Sequence, residues 1–96
     1  MTVTIHYKNC PTEIIPLLNR LEPEIQRAAS AHGLRDDVCW ERYTVSGDSR
    51  DYDFFRLYAP AQPDADMGGN YGEAFLRSVS PDDFYWWITR HLSHFG

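Results

Sequence analysis

Lysine is nearly absent from this sequence. Lys8 is the only one, against eight arginines. Arginine tolerates partial burial and planar contacts better than lysine, so the bias favours an interaction surface. Cysteine is scarce too: Cys10 and Cys39 stand 29 positions apart, outside any C-x-x-C pattern. Small buried thiols are expected, and nothing demands a disulfide. No stretch approaches the 18 or so apolar residues a membrane span needs, so the sequence predicts none. The opening MTVTIHYK alternates and has no long apolar run, which predicts no signal peptide and a cytoplasmic protein.

Local catalytic signatures are also missing. No serine sits in a G-x-S-x-G elbow. The run Gly68-Gly69-Asn70-Tyr71-Gly72 is followed by Glu73 instead of Lys and Ser or Thr, with Asp64 and Asp66 upstream, so it predicts no phosphate loop. Cys10 beside His6 has no third group to orient it. Asp82 and Asp83 are adjacent, and they suit a helix dipole better than acid–base work. His91 and His94 have a helical ligand spacing, but no cysteine or paired carboxylate nearby would complete a metal site. No cofactor and no metal are expected, and the protein is expected to be non-enzymatic.

The chain has 96 residues, enough for one domain over 1–96. It is 43% hydrophobic and 24% charged, which argues against wholesale disorder. Aromatics reach 15%, so many rings must be placed in a core or on a working surface. Net charge is −5. Between Ser46 and Asp83 eight acids face three arginines, an excess equal to the whole net charge. That half suits a basic partner.

Thr2 to Lys8 alternates and predicts a half-buried strand. Asn9-Cys10-Pro11 predicts a turn, and Thr12 a helix cap. Ile14, Leu17, Leu18, Leu21, Ile25, Ala28, Ala29 and His32 follow at helical spacing. The stripe keeps its phase past Pro23, which predicts one kinked helix over 13–32 closed by Gly33. Val38 to Val45 and Tyr52 to Ala59 predict a hairpin around a turn of Ser, Gly, Asp and Arg. Phe55, Leu57 and Ala59 should face the core. In the first strand Cys39, Tyr43 and Val45 should do so, with Glu41 as an anomaly. The opposite face would carry Trp40, Arg42, Tyr52, Phe54, Arg56 and Tyr58.

Pro60 to Gly72 predicts a long loop. Glu73 to Val79 predicts a short helix. Ser80-Pro81-Asp82-Asp83 is a strong helix start. In the helix 81–95 a wheel gathers Phe84, Trp87, Ile88, His91, Leu92 and Phe95 on one side, with Tyr85 at its edge. Trp86 falls on the other side with Arg90. Trp86 would then pack on the long loop, stack on Arg90, or serve as a binding anchor.

These elements predict a single α+β domain in the order β-α-β-β-α. An antiparallel sheet of three strands, with room for a fourth, is covered on one face by two main helices and is ferredoxin-like in part. The segment Arg50-Asp51-Tyr52-Asp53-Phe54-Phe55-Arg56-Leu57 resembles the third-strand pattern of the RNA-recognition motif at Arg50, Tyr52 and Phe54. It departs at Asp51, Asp53 and Leu57, and the final strand of that family is missing. The resemblance implies RNA stacked on Trp40, Phe54, Arg56 and Tyr58.

The preferred expectation is a protein-binding module, most concretely a small acidic inhibitor of a nucleic-acid-handling protein. Asp48, Asp51, Asp53, Asp64 and Asp66 would supply charge, and Tyr71, Trp86 and Arg90 would anchor. Phage anti-defence inhibitors, anti-CRISPR proteins among them, and toxin-immunity proteins share these gross features of size, acidity and aromatic content. An RNA-facing sheet, a small ferredoxin-like enzyme with a pocket between sheet and helices, and a homodimer through the sheet are the other expectations.

Overall fold

A computed structural model describes residues 3–92, with the backbone alone described at 62–69 and 92. Alternation at the start gives β1 (Ile5–Lys8), which turns Ile5 and Tyr7 inward and His6 and Lys8 to solvent. Asn9 then takes a left-handed φ of 59° and reverses the chain.

The apolar stripe expected over 13–32 is present: Ile14, Leu18, Leu21, Ile25, Ala28 and Ala29 are all buried. One kinked helix is not. The segment forms α1 (Ile15–Asn19) and α2 (Glu22–Ala31). Pro16 and Pro23 each lie in the first turn of their own helix. There the missing N–H is one that no helix satisfies, so each proline starts a helix instead of bending one. Thr12 makes no cap, because α1 begins three residues later behind Ile14. The Arg20 guanidinium donates to the Leu76 carbonyl (2.6 Å) and ties this joint to the other end of the chain.

Gly33 ends α2 as expected. Its φ is 69°, the Leu34 N–H reaches the Ala29 carbonyl (2.8 Å), and the Gly33 N–H reaches that of Ser30 (3.3 Å). This is a Schellman closure, with Leu34 packed back on the core. Nothing lies within 4 Å of where a Cβ would stand, so only backbone strain opposes a side chain. Gly33→Ala should cost about 1–2 kcal/mol. A lower urea midpoint with an unchanged m-value checks it.

β2 (Val38–Ser46) and β3 (Asp51–Ala59) form the expected hairpin. The expected phase of β2 is overturned. Trp40 pairs with Leu57 and Arg42 with Phe55, so Trp40 and Arg42 share the helix-covered face. Trp40 is fully buried. Both alternate sets of β2 mix apolar and charged residues, and the bulk of the indole decides between them. Glu41, anomalous in a core, is on the open face.

Pro60 to Gly72 is not a loop. Gln62–Gly72 forms β4, antiparallel to β3. Local propensity argued against a strand there, but β3 needs a partner for its second ladder edge. An edge strand tolerates proline, and register irregularities near Tyr58 absorb the misfit. The sheet order is β1-β2-β3-β4, with β1 parallel to β2 and the other pairs antiparallel. The sheet is therefore four-stranded and mixed, in an α+β chain with four helices among the described residues.

α3 (Glu73–Ser78) and α4 (Pro81–Leu92) follow β4. Ser80 caps α4 by accepting from the Asp83 N–H (3.1 Å), with Asp82 and Asp83 in the first turn. Phe84 and Ile88 are fully buried. Trp87, expected in the core, is 38% exposed and leans on Phe75 (5.8 Å between rings) and His91 (5.6 Å). The buried stripe of α4 is therefore narrower than the wheel. Phe95 and His94 lie outside the described residues. The core joins Trp40, Tyr71 and Phe84, with ring centroids 5.5–6.2 Å apart, to the stripes of α1, α2 and α4.

Candidate interaction surface

Strand lengths set the site. β1 pairs with β2 only as far as Glu41, and β4 pairs with β3 only from Phe54 onward. The hairpin continues to Ser46 and Asp51 before its turn. Residues 43–53 therefore form a two-stranded arm beyond both neighbouring strands. Thr44 to Asp53 are exposed throughout. The molecule is correspondingly long, 42 × 25 × 22 Å.

The arm has two unlike faces. On the helix side, Thr44 donates its hydroxyl to the Asp53 carboxylate (2.7 Å), and Asp51 lies opposite Ser46. Beneath them is a groove of about 520 Å³ between the hairpin, the turn before α1 and the start of α3. Glu13, Asp51, Asp53 and Glu73 line it, together with Arg42 and Arg50. All four acids are exposed or half-exposed at its rim, and Arg42 is half-buried. The groove is acidic, with arginine at its wall. Glu73 also pairs with Arg77 (3.4 Å).

The open side of the sheet carries the other face. Tyr43 stacks with Phe54 (5.9 Å), and the Arg50 guanidinium lies over Tyr52 (4.8 Å). Arg56 lies over Tyr58 (4.2 Å). Tyr58 donates to Glu41 (3.0 Å), which also pairs with Lys8 (3.3 Å). Val45 and Tyr52 are 44% and 41% exposed. Cys39 lies on this face, and Cys10 lies beside the β1–β2 junction; both are free thiols. Burial raises the pKa of each, so neither is an activated nucleophile.

Burial, then the hydrogen bond to Glu41, pushes the Tyr58 phenol up to about 12. The folded state therefore holds this proton more tightly than the unfolded chain, whose phenol titrates at about 10. Its stabilisation is full below that unfolded value and is lost as pH rises toward 12. Tyr58→Phe should flatten the alkaline fall in stability between these values. It should also remove a phenolate signal near pH 12 from an ultraviolet pH titration.

The expected site residues separate. Asp48, in the turn, and Asp51 and Asp53 are exposed on the arm. Asp64 and Asp66 lie in β4, where side chains are outside the description. Tyr71, expected as an anchor, is 3% exposed; β4 pairs it with Phe55 and turns it into the core. Trp86, placed off the core face by the wheel, is 64% exposed and meets Tyr85 edge-on (5.3 Å). Trp86 and exposed Arg90 belong to α4, whereas the groove walls come from other elements. Of the expected sheet-face set, Phe54, Arg56 and Tyr58 are on the open side and Trp40 is not. Glu13 and the Glu41–Tyr58 pair were missed. The misfit of Glu41 with a buried face was the signal for the second.

Among the described residues no three His, Cys, Asp or Glu side chains gather closely enough to hold a metal ion. No described helix is long and apolar enough to cross a membrane. No protein-family model, curated protein or solved structure matches the chain.

Proposed function

We propose that this protein is a non-catalytic binding module, acting as a small acidic inhibitor of a nucleic-acid-handling protein. The arm and the groove beneath it would receive basic side chains of the partner. The observation that carries this is the convergence of Glu13, Asp51, Asp53 and Glu73 on one side of a hairpin that projects past the rest of the sheet. Exposed acids on a protruding element meet a basic groove before the body of the protein does, and steer the encounter. Phage anti-defence inhibitors and immunity proteins are the kind of cytoplasmic protein this describes.

One observation favours a second reading. Tyr43, Phe54, Arg56 and Tyr58 make an aromatic–arginine surface on the open sheet face, the composition used to stack single-stranded RNA. Its weakness is charge, since Glu41 stands in the middle of that face.

Capture from host lysate by the tagged protein separates the two readings. The inhibitor reading expects a basic protein retained after nuclease treatment and released by high salt. Capture that disappears with nuclease would replace it with the RNA reading.

A further inference from the structure

Helix α4 turns its most exposed side chain straight away from the core. At 3.6 residues per turn, Trp86 stands about 160° round the helix from both Phe84 and Ile88, which are fully buried. It is more exposed than any other large apolar side chain among the described residues. Aromatic rings widen the patch on either side. Tyr85 meets Trp86 edge-on, and the Arg27 guanidinium, paired with Glu24 (2.6 Å), lies over the Tyr85 ring (4.3 Å). Trp87 continues the patch toward Phe75 (5.8 Å). An exposed indole on a helix, braced by neighbouring rings, has the composition of a binding anchor.

The charges around Trp86 are self-complementary. Asp82, Trp86 and Arg90 are spaced by four residues and form one ridge along α4, with Asp83 beside it. All four are exposed. Asp82 and Arg90 lie about 6 Å to either side of Trp86 along the axis. A uniformly basic surface would be drawn to Asp82 and Asp83 but repelled by Arg90, and a uniformly acidic one the reverse. The surface that matches both ends carries the same ridge in the opposite direction, and a second α4 is such a surface. A two-fold axis at Trp86 sets the two helices antiparallel and packs indole beside indole. It brings Asp82 of each copy to Arg90 of the other. Crossing at about −50° lets the two ridges run side by side, and the helix dipoles oppose one another. Every position used lies inside α4.

We infer that the exposed face of α4 binds a second copy of this chain, α4 against α4, with Trp86 at the two-fold axis and an Asp82–Arg90 pair at either end. None of these residues belongs to the arm or lines the groove, so the contact is independent of the partner proposed above.

Sedimentation of the whole chain over a range of concentrations should show a reversible dimer of the 11.2 kDa chain. Trp86→Ala should weaken it about a hundredfold, because the indole is lost from both sides of the axis. Asp82→Arg or Arg90→Asp alone should weaken it about tenfold, because each sets like charges together twice. The two together should restore it. Within one chain the double exchange places both charges against the dipole of their own helix, so recovery reports pairing across the axis. Circular dichroism confirms that each variant is folded. A wild-type chain that stays monomeric at its highest soluble concentration would overturn the inference. So would a dimer indifferent to Trp86→Ala, or a charge exchange that fails to rescue.

Discussion

Trp40→Ala should lower stability by about 3–5 kcal/mol, while Trp40→Phe should leave it within about 1 kcal/mol of wild type. The indole is fully buried and lies 5.8 Å from Tyr71 and 6.2 Å from Phe84, measured between ring centroids. It links the sheet, the strand that leads into α3 and the helix α4. Truncating such a side chain typically costs about 3–5 kcal/mol, through lost transfer energy and the cavity left behind. A domain of this size has only roughly 5–15 kcal/mol in total. Phenylalanine keeps most of the ring contact. It also removes an indole N–H that finds no acceptor among the described residues, so the lost volume is partly offset by a relieved donor. Urea unfolding followed by far-ultraviolet circular dichroism measures both variants. Equal and large losses in the two would mean that the N–H is satisfied and that the six-membered ring alone cannot fill the site.

The second large effect concerns association. Asp48, Asp51 and Asp53 changed together to asparagine should slow association with a basic partner by about ten- to a hundredfold at low salt, with dissociation much less affected. The three are exposed and lie within the arm, so long-range attraction is the main thing removed. Asp53→Asn keeps a side-chain oxygen that can accept from the Thr44 hydroxyl, so the local cross-strand bond survives. The difference between variant and wild type should shrink as salt shortens the Debye length from about 10 Å at 0.1 M. Surface plasmon resonance at two ionic strengths reads rate and salt dependence together. Under the RNA reading the same change would strengthen binding, because it removes negative charge beside the phosphate path.

The features legible in the sequence were those written into a few adjacent residues. Ser80-Pro81-Asp82-Asp83 starts a helix by its own chemistry, and Gly33 ends one, so both were found where expected. The helical stripe from Ile14 to Ala29 was found for the same reason, although the two prolines divide it. What could not be read depends on pairing. Either alternate set in β2 could be inward, and only the register Trp40↔Leu57 chooses between them. β4 carries Pro63, Gly68 and Gly69 and looks like a loop until β3 supplies a ladder. Tyr71 was misplaced with it. The arm was invisible because it exists only as a difference in length between neighbouring strands. The acids at its tip were visible as charge, but their meeting with Glu13 and Glu73 around a groove was not.

Amide hydrogen exchange of the protein, alone and in complex with the basic protein it captures, is the most direct test of the arm as the working surface. Slower exchange is expected over residues 42–53 and around Gly72 to Ala74, where the arm and groove meet. Protection confined to α4 around Trp86, with the arm exchanging as in the free protein, would contradict it.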